Sequence, residues 1–221
     1  MLLWPILALI FAGLAALAVQ KNIPWLERLA RPAVIICLFI WLVLENGLQA
    51  NVLWFGVGLL FSLAGDILLM ISLERRFLVG LAAFLMTHIC YIIGFNEQLI
   101  SFTVWSFVLL FFIFLNGIRI LRRIVGAIRA AEQNRLVYPV ILYGLLVSLM
   151  LYAAMSTIFD PAWSTGAAFF VSAGAFLFYM SDLFLAWNKF VTPIGNIRIL
   201  NSLTYHLGQI SLIAGVISQF G

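Results

Sequence analysis

Eight apolar runs, each close to the length that crosses a bilayer, follow one another through this chain with little between them. They cover residues 2–19, 32–48, 52–71, 77–95, 101–119, 136–158, 164–187 and 199–219. About 20 mostly apolar residues in a helix span roughly 30 Å of hydrocarbon. In that medium every backbone N–H and C=O must find its partner within the protein, so each run folds as a helix. The second run is the weakest, being strictly apolar only from Pro32 to Leu44. Snorkelling by Arg31 and an interfacial Glu45 extend it to spanning length. The expected fold is an all-α polytopic membrane helix bundle of about eight transmembrane helices, forming one integral membrane domain over residues 1–221. Composition agrees, because 9% charged residues cannot cover a water-facing surface that normally carries about 25%. Residues 1–20 read as a retained helix and not a leader, since Lys21 follows the apolar stretch where a signal peptide has its charge in front.

The basic residues fix an expected orientation. All twelve fall between alternate runs or, for Arg119, at the end of one: Lys21, Arg28 and Arg31; Arg75 and Arg76; Arg119, Arg122, Arg123, Arg129 and Arg135; Lys189 and Arg198. Lysine and arginine concentrate in cytoplasmic loops, so both termini are expected on the non-cytoplasmic side. The opposite loops carry only acids: Glu45, Glu97 and Asp160. The net charge of +4 is thus a topology signal with no patch for nucleic acid. Residues 119–135 read either as an amphipathic helix on anionic lipid or as a plain loop. Cys37 and Cys90 sit within apolar runs as small hydrophobes. The short loops favour a bacterial inner membrane, with a eukaryotic internal membrane as the alternative.

Two acids break the apolar pattern. Asp66 and Asp182 are the acids away from the ends of the runs, each five residues from the cytoplasmic end of its run. At 1.5 Å per residue both lie roughly 8 Å inside. A charged aspartate within a span is expensive, faces the bundle interior or a cavity, and marks function by default. No run interior holds a basic partner, so the carboxylates are expected to find each other, a histidine, neutral polar groups or water; two sharing a dry pocket would leave one protonated, as in an acid/base pair. The last run adds a polar stripe of Ser202, Tyr205, His206 and Gln209; His88 and Tyr91 lie deeper in the fourth run, and Asn116 near the inner end of the fifth. Gly65-Asp66 and Ser181-Asp182 echo each other, and each is followed by a histidine in the next run, 22 and 24 residues on. The echo fits a parallel four-plus-four repeat or chance likeness between apolar helices. Two histidines and two distant cysteines make no close-spaced metal motif, and neither a nucleophile elbow nor a phosphate-cradling loop is present.

These polar segments resemble the YhhN-type lysoplasmalogenase family. The resemblance rests on Arg31-Pro32, where the family has Lys-Pro, and on Gly65-Asp66. It continues through Phe77-x-x-Gly80, Phe84-x-x-x-His88-x-x-Tyr91, Ser181-Asp182-x-x-x-Ala186 and Tyr205-x-x-x-Gln209. Their order and spacing extend over most of the chain. The resemblance implies hydrolysis of the vinyl ether bond of lysoplasmalogen to a fatty aldehyde and a glycerophospho-ethanolamine or -choline, with lysophospholipid and membrane lipid as partners. Vinyl ether hydrolysis protonates carbon and then adds water to an oxocarbenium ion, so two carboxylates suffice, without metal or organic cofactor. Asp66 and Asp182 are the expected pair. Tyr205, His206 and Gln209 are expected to orient water or the glycerol hydroxyl, with Ser202, His88, Tyr91 and Asn116 supporting. Arg198, Lys189 and Arg31 are candidates for the phosphate. The competing reading is a proton-coupled transporter using the same groups as a relay.

Overall fold

The computed structural model describes residues 2–70, 74–96 and 103–221. Regular structure within them is helical. Eight long helices run α1 Leu3–Lys21, α2 Pro24–Asn46, α3 Ala50–Met70, α4 Glu74–Phe95, α5 Val104–Ala130, α6 Val137–Ser156, α7 Thr165–Phe190 and α8 Ile197–Phe220. Glu97 and the first residues of the fifth predicted run lie outside the described residues.

Seven of these helices, α1 to α7, are long and apolar enough to cross a membrane. The eighth misses that mark because Asn201, Ser202, Thr204, Tyr205, His206 and Gln209 crowd its first half. Large apolar side chains such as Ile6, Leu9, Phe111 and Phe169 remain exposed on the outside. In water such a surface would aggregate; against lipid it is the ordinary outer face of a membrane protein.

Two boundaries differ from the expected ones. Helix α2 starts eight residues before the predicted run, with Pro24 in its first turn, where a missing N–H costs nothing. Pro32 is therefore inside the helix and does not open it, and Arg28 and Arg31 become helical residues on its first turns. Gly47 ends the helix at φ +66° with its N–H on Val43 O at 3.0 Å, a backbone conformation that suits glycine. The second departure concerns residues 119–130, which form neither a loop nor a separate surface helix. They continue α5 without a break, because Ile124 and Ile128 bury against Leu136, Val137 and Val140 at the start of α6.

Close packing concentrates in two helix pairs, α3 with α4 and α7 with α8. Lipid provides little hydrophobic drive between helices, so small residues that let backbones approach do much of the association. In the second pair a Cβ on Gly174 would stand 2.4 Å from Leu212 N, and one on Gly208 would stand 2.8 Å from Phe178 N. Gly215 meets Ala167 O in the same way at 2.8 Å. In the first pair aromatic rings fill the glycine notches, Tyr91 against Gly58 and Phe84 against Gly65. These seams fix the register of α3, α4, α7 and α8, the helices that carry most of the polar residues. Helix α5 is the opposite case: 6% of its apolar window is buried, against 28–44% in the other six candidate spans.

Gly174→Val and Gly208→Val place side-chain atoms against backbone and are expected to destabilise by at least the ~1–3 kcal/mol of ordinary overpacking. Gly13→Ala meets nothing within 4 Å and should hold or slightly raise stability. Thermal unfolding in detergent measures both, and equal midpoints for the three variants would contradict the seam.

Candidate active site

The two aspartates occupy related but unlike settings. Asp66 on α3 has its side chain sealed from solvent. Its Oδ1 accepts from Arg31 Nη2 at 3.2 Å, and its Oδ2 accepts from the Tyr205 hydroxyl at 2.7 Å. Behind Tyr205 runs a chain of hydrogen bonds with one direction. Tyr91 donates to Gln209 Oε1 at 2.8 Å, and Gln209 Nε2 donates to Ser62 Oγ at 2.8 Å. Ser62 Oγ and the Tyr205 hydroxyl are 2.8 Å apart. With the Tyr205 proton committed to Asp66, Ser62 is the donor there. Each proton in the series points toward Asp66, so this carboxyl is an acceptor at both oxygens. Ser62 precedes Asp66 by one turn and Tyr205 precedes Gln209 by one turn, which puts each pair on one helix face.

Arg31 connects this buried anion to the surface. Its Nη1 lies 3.6 Å from Glu27 Oε1 one turn earlier, and Glu27 Oε2 lies 3.1 Å from Arg198 Nη2 at the start of α8. The charges alternate Arg198, Glu27, Arg31, Asp66 while side-chain exposure falls from 62% through 16% and 16% to 0%. A buried charge is tolerable only when paired and hydrogen-bonded, and the alternation meets that condition at each depth. The Arg31 guanidinium also stands over the Tyr205 ring, 5.8 Å from its centroid.

Asp182 on α7 keeps 10% of its side chain exposed. Its Oδ2 accepts from the Tyr143 hydroxyl at 2.9 Å and faces His88 Nε2 at 3.0 Å. His88 Nε2 fits as the N–H donor, since its neighbours are a carboxylate oxygen and, at 3.1 Å, the Tyr143 oxygen. Its Nδ1 is buried without a hydrogen-bond partner among the described residues. Among the described residues Asp182 Oδ1 takes no hydrogen bond.

The pattern of partners follows the sequence echo. Asp66 is held by α2 and α8, Asp182 by α6 and α4, so the assignments exchange when α2–α4 is set against α6–α8. The carboxylates do not hydrogen-bond to each other. Direct contact between them, one of the arrangements the sequence allows, does not occur: Asp66 is held by Arg31 and Tyr205, and Asp182 by Tyr143 and His88.

Both networks border one polar cavity of about 330 Å³. Arg28, Arg31, Arg198, Asn201, Tyr205 and Asp182 line it; Asp66 stands directly behind Arg31 and Tyr205. Asn201 is oriented by donating to the Ser181 carbonyl and hydroxyl at 2.8 and 3.0 Å. Asp182 also borders a second, narrow apolar cavity between α5, α6 and α7. No three His, Cys, Asp or Glu side chains gather as a metal cage among the described residues.

A model of the YhhN family matches residues 26–216. This chain belongs to the YhhN family. It is 29% identical over 211 residues to Lysoplasmalogenase TMEM86B of Mus musculus, covering 89% of this chain and 78% of the mouse protein. It is 29% identical over 194 residues to Lysoplasmalogenase TMEM86A of Homo sapiens, covering 84% and 75%. Lysoplasmalogenase TMEM86B of Homo sapiens is 26% identical over 193 residues, covering 86% and 75%. No solved structure matches.

Of the residues singled out in the sequence, the fold gathers Asp66, Asp182, Tyr205, Gln209, Tyr91, His88, Arg31 and Arg198 into or directly behind the cavity. It leaves out four. Lys189 sits 4.0 Å over the Phe77 ring, away from the cavity lining. Asn116 turns back along its own helix to donate to Phe112 O at 2.8 Å. His206 is fully buried, with Nδ1 3.4 Å from Ser202 Oγ and Nε2 without a hydrogen-bond partner among the described residues. It packs against Tyr205, and neither it nor Ser202 bonds a carboxylate, so His88 is the histidine that meets an aspartate. Arg31, read from the sequence as a mouth residue for phosphate, is instead the partner of Asp66, because α2 begins early enough to carry it into the bundle.

Tyr143, Glu27, Ser62 and Asn201 escape the sequence reading. Ser62 and Glu27 are accessible through spacing, each one turn before a residue already singled out. Glu27 is hidden once Pro32 is read as a helix start. Tyr143 carries no signal beyond being a hydroxyl in an apolar run.

Arg31→Gln leaves a buried anion without its cation and is expected to cost about 3–5 kcal/mol. Adding Asp66→Asn should recover a large part of that loss. Thermal unfolding of the two single variants and the double in detergent tests the coupling; additive losses would contradict the ion pair.

Proposed function

We propose that this chain is a lysoplasmalogenase-type hydrolase that cleaves the vinyl ether of a lysophospholipid at the Asp182 edge of the polar cavity. Family membership and the hydrolase names of its relatives support the reaction class. The observation that carries the site is the difference between the two carboxyls: Asp66 has both oxygens held, by Arg31 and Tyr205, whereas Asp182 lines the cavity and has one oxygen that takes no hydrogen bond among the described residues.

In this reading Asp182 carries the proton on Oδ1 while Oδ2 accepts from Tyr143 and His88. It protonates the vinyl carbon next to the one bearing oxygen, and the former double bond becomes an oxocarbenium ion. Water adds to the oxygen-bearing carbon and its surplus proton returns to Asp182, giving a hemiacetal. Collapse moves the hemiacetal hydroxyl proton to the glycerol oxygen, releasing fatty aldehyde and glycerophospho-alcohol; one water is consumed and the enzyme is restored. Asp66 remains the ionised partner. Through Tyr205 it supplies fixed negative charge and an oriented hydroxyl beside the developing cation, the two-carboxylate arrangement that glycoside hydrolysis uses against a similar ion. Arg28 and Arg198 at the mouth suit a phosphate, and Arg31 is occupied by Asp66. The same reading puts the cation-rich end in the cytoplasm, both termini opposite, and the chain in a bacterial inner membrane. A transmembrane proton relay finds no support, since the polar side chains gather around one cavity and the relatives are named as hydrolases.

Purified protein offered lysoplasmenyl-ethanolamine and its ester-linked analogue should release fatty aldehyde from the vinyl ether only. Asp182→Asn should lower kcat by about 10²–10⁴-fold, the usual size of a general-acid contribution. Tyr143→Phe should retain more activity than Asp182→Asn, because it removes one of two donors to Oδ2. Full activity in a folded Asp182→Asn protein would overturn the assignment.

A further inference from the structure

Asp182 belongs to two cavities at once, and they differ in chemistry. The one toward α2 and α8 is lined with arginines. The other, between α5, α6 and α7, has among the described residues no charged lining side chain except Asp182 and a volume of about 100 Å³. That narrow cavity shares Phe114, Leu145 and Ser148 with a further apolar groove running between α5 and α6 as far as Phe107 and Leu149. From Gly117 to Phe107 the α5 wall extends about 15 Å at 1.5 Å per residue. The series is therefore cationic mouth, carboxyl, narrow apolar passage, long apolar groove.

We propose that this passage and groove hold the single hydrocarbon chain of the substrate, threaded past Asp182 and away from the arginine-lined mouth. The proposal rests on the hydrolase reading above and specifies the path. A vinyl ether sits where the polar head of a lysolipid joins its chain. A molecule with its phosphate at the mouth and its chain in the groove brings that junction to Asp182. The passage admits one chain, which fits a lysolipid and opposes a two-chain lipid. Helix α5, the least covered of the candidate spans, forms the outer wall, so the chain enters sideways from the bilayer.

Two glycines hold the passage open. A Cβ on Gly117 would lie in ordinary contact with Ser148 Oγ at 3.5 Å, and one on Gly144 would press on Leu121 Cδ1 at 3.2 Å. Neither is pressed against backbone as Gly174 and Gly208 are, so larger side chains here project into the passage while the helix packing persists. They are specificity-determining positions: they decide how much chain passes beyond Asp182.

The test compares lysoplasmenyl-ethanolamines of long and short alkenyl chain with wild type, Gly117→Leu, Gly144→Leu and, as a control, Gly13→Leu. The ratio of long-chain to short-chain kcat/KM should fall at least tenfold in the first two variants and stay unchanged in the third. A second measurement needs no turnover. In diacyl-lipid nanodiscs, the Ser148→Cys variant is labelled with N-ethylmaleimide with and without a saturated 1-O-alkyl lysophosphoethanolamine, over a wild-type baseline in which Cys37 and Cys90 are buried. The long-chain ether should slow labelling of the introduced thiol at least fivefold, and a short-chain one should not. An unchanged chain-length ratio in folded variants, or a labelling rate indifferent to the long-chain ether, would overturn the chain path. Protection of the introduced thiol in a protein that releases no aldehyde would instead retain the lipid path and defeat the hydrolase reading.

Discussion

The ion pair between Arg31 and Asp66 is the interaction on which the rest of the site depends. An isolated carboxylate inside a low-dielectric bundle is prohibitively expensive, yet Asp66 is sealed there. Its cost is offset by a guanidinium at 3.2 Å and a phenolic donor at 2.7 Å. Glu27 and Arg198 relay the compensation outward, so no buried charge stands uncompensated along the path to the cavity mouth. The pair ties α2 to α3, and Tyr205 ties both to α8. With α8 locked backbone-to-backbone on α7, the position of Asp182 follows.

From this constraint comes an asymmetry with chemical consequences. Corresponding helices of the two halves present an aspartate to neighbours on equivalent helices, and the side chains that those helices offer differ. Asp66 receives a permanent cation, whereas Asp182 receives a phenol and an imidazole, lines the cavity and has one oxygen without a hydrogen bond among the described residues. Placing two like acids in unlike surroundings is the general way one site obtains both a proton donor and a standing anion. Aromatic packing maintains the difference. Phe178 packs on both His88 and Tyr205, with centroids 4.9 and 5.4 Å apart, and stands between the two networks.

Much of this is legible in the residues and some is not. Apolar runs of spanning length announce the eight helices, since few folds satisfy the backbone in lipid. The cost of intramembrane charge singles out Asp66 and Asp182 before any geometry is known. Helix ends are less legible. Proline is equally at home in the first turn of a helix and tolerable inside one, and that ambiguity displaces the start of α2 and conceals Glu27 and the pairing of Arg31. Depth along a helix says nothing of which face meets a carboxylate, so the sequence favours His206 where the geometry favours His88. Tyr143 is invisible for the same reason, and the extension of α5 because a run of arginines reads as loop until Ile124 and Ile128 find α6.

The proposed mechanism requires the two aspartates to rest in opposite charge states, Asp182 protonated and Asp66 ionised. Infrared spectra of the purified protein near neutral pH, taken for wild type, Asp182→Asn and Asp66→Asn, report this through the carbonyl stretch of a protonated carboxyl. Such a band should be present in wild type, disappear in Asp182→Asn and persist in Asp66→Asn. A band lost in Asp66→Asn and kept in Asp182→Asn, or absent from wild type, would refute the division of roles.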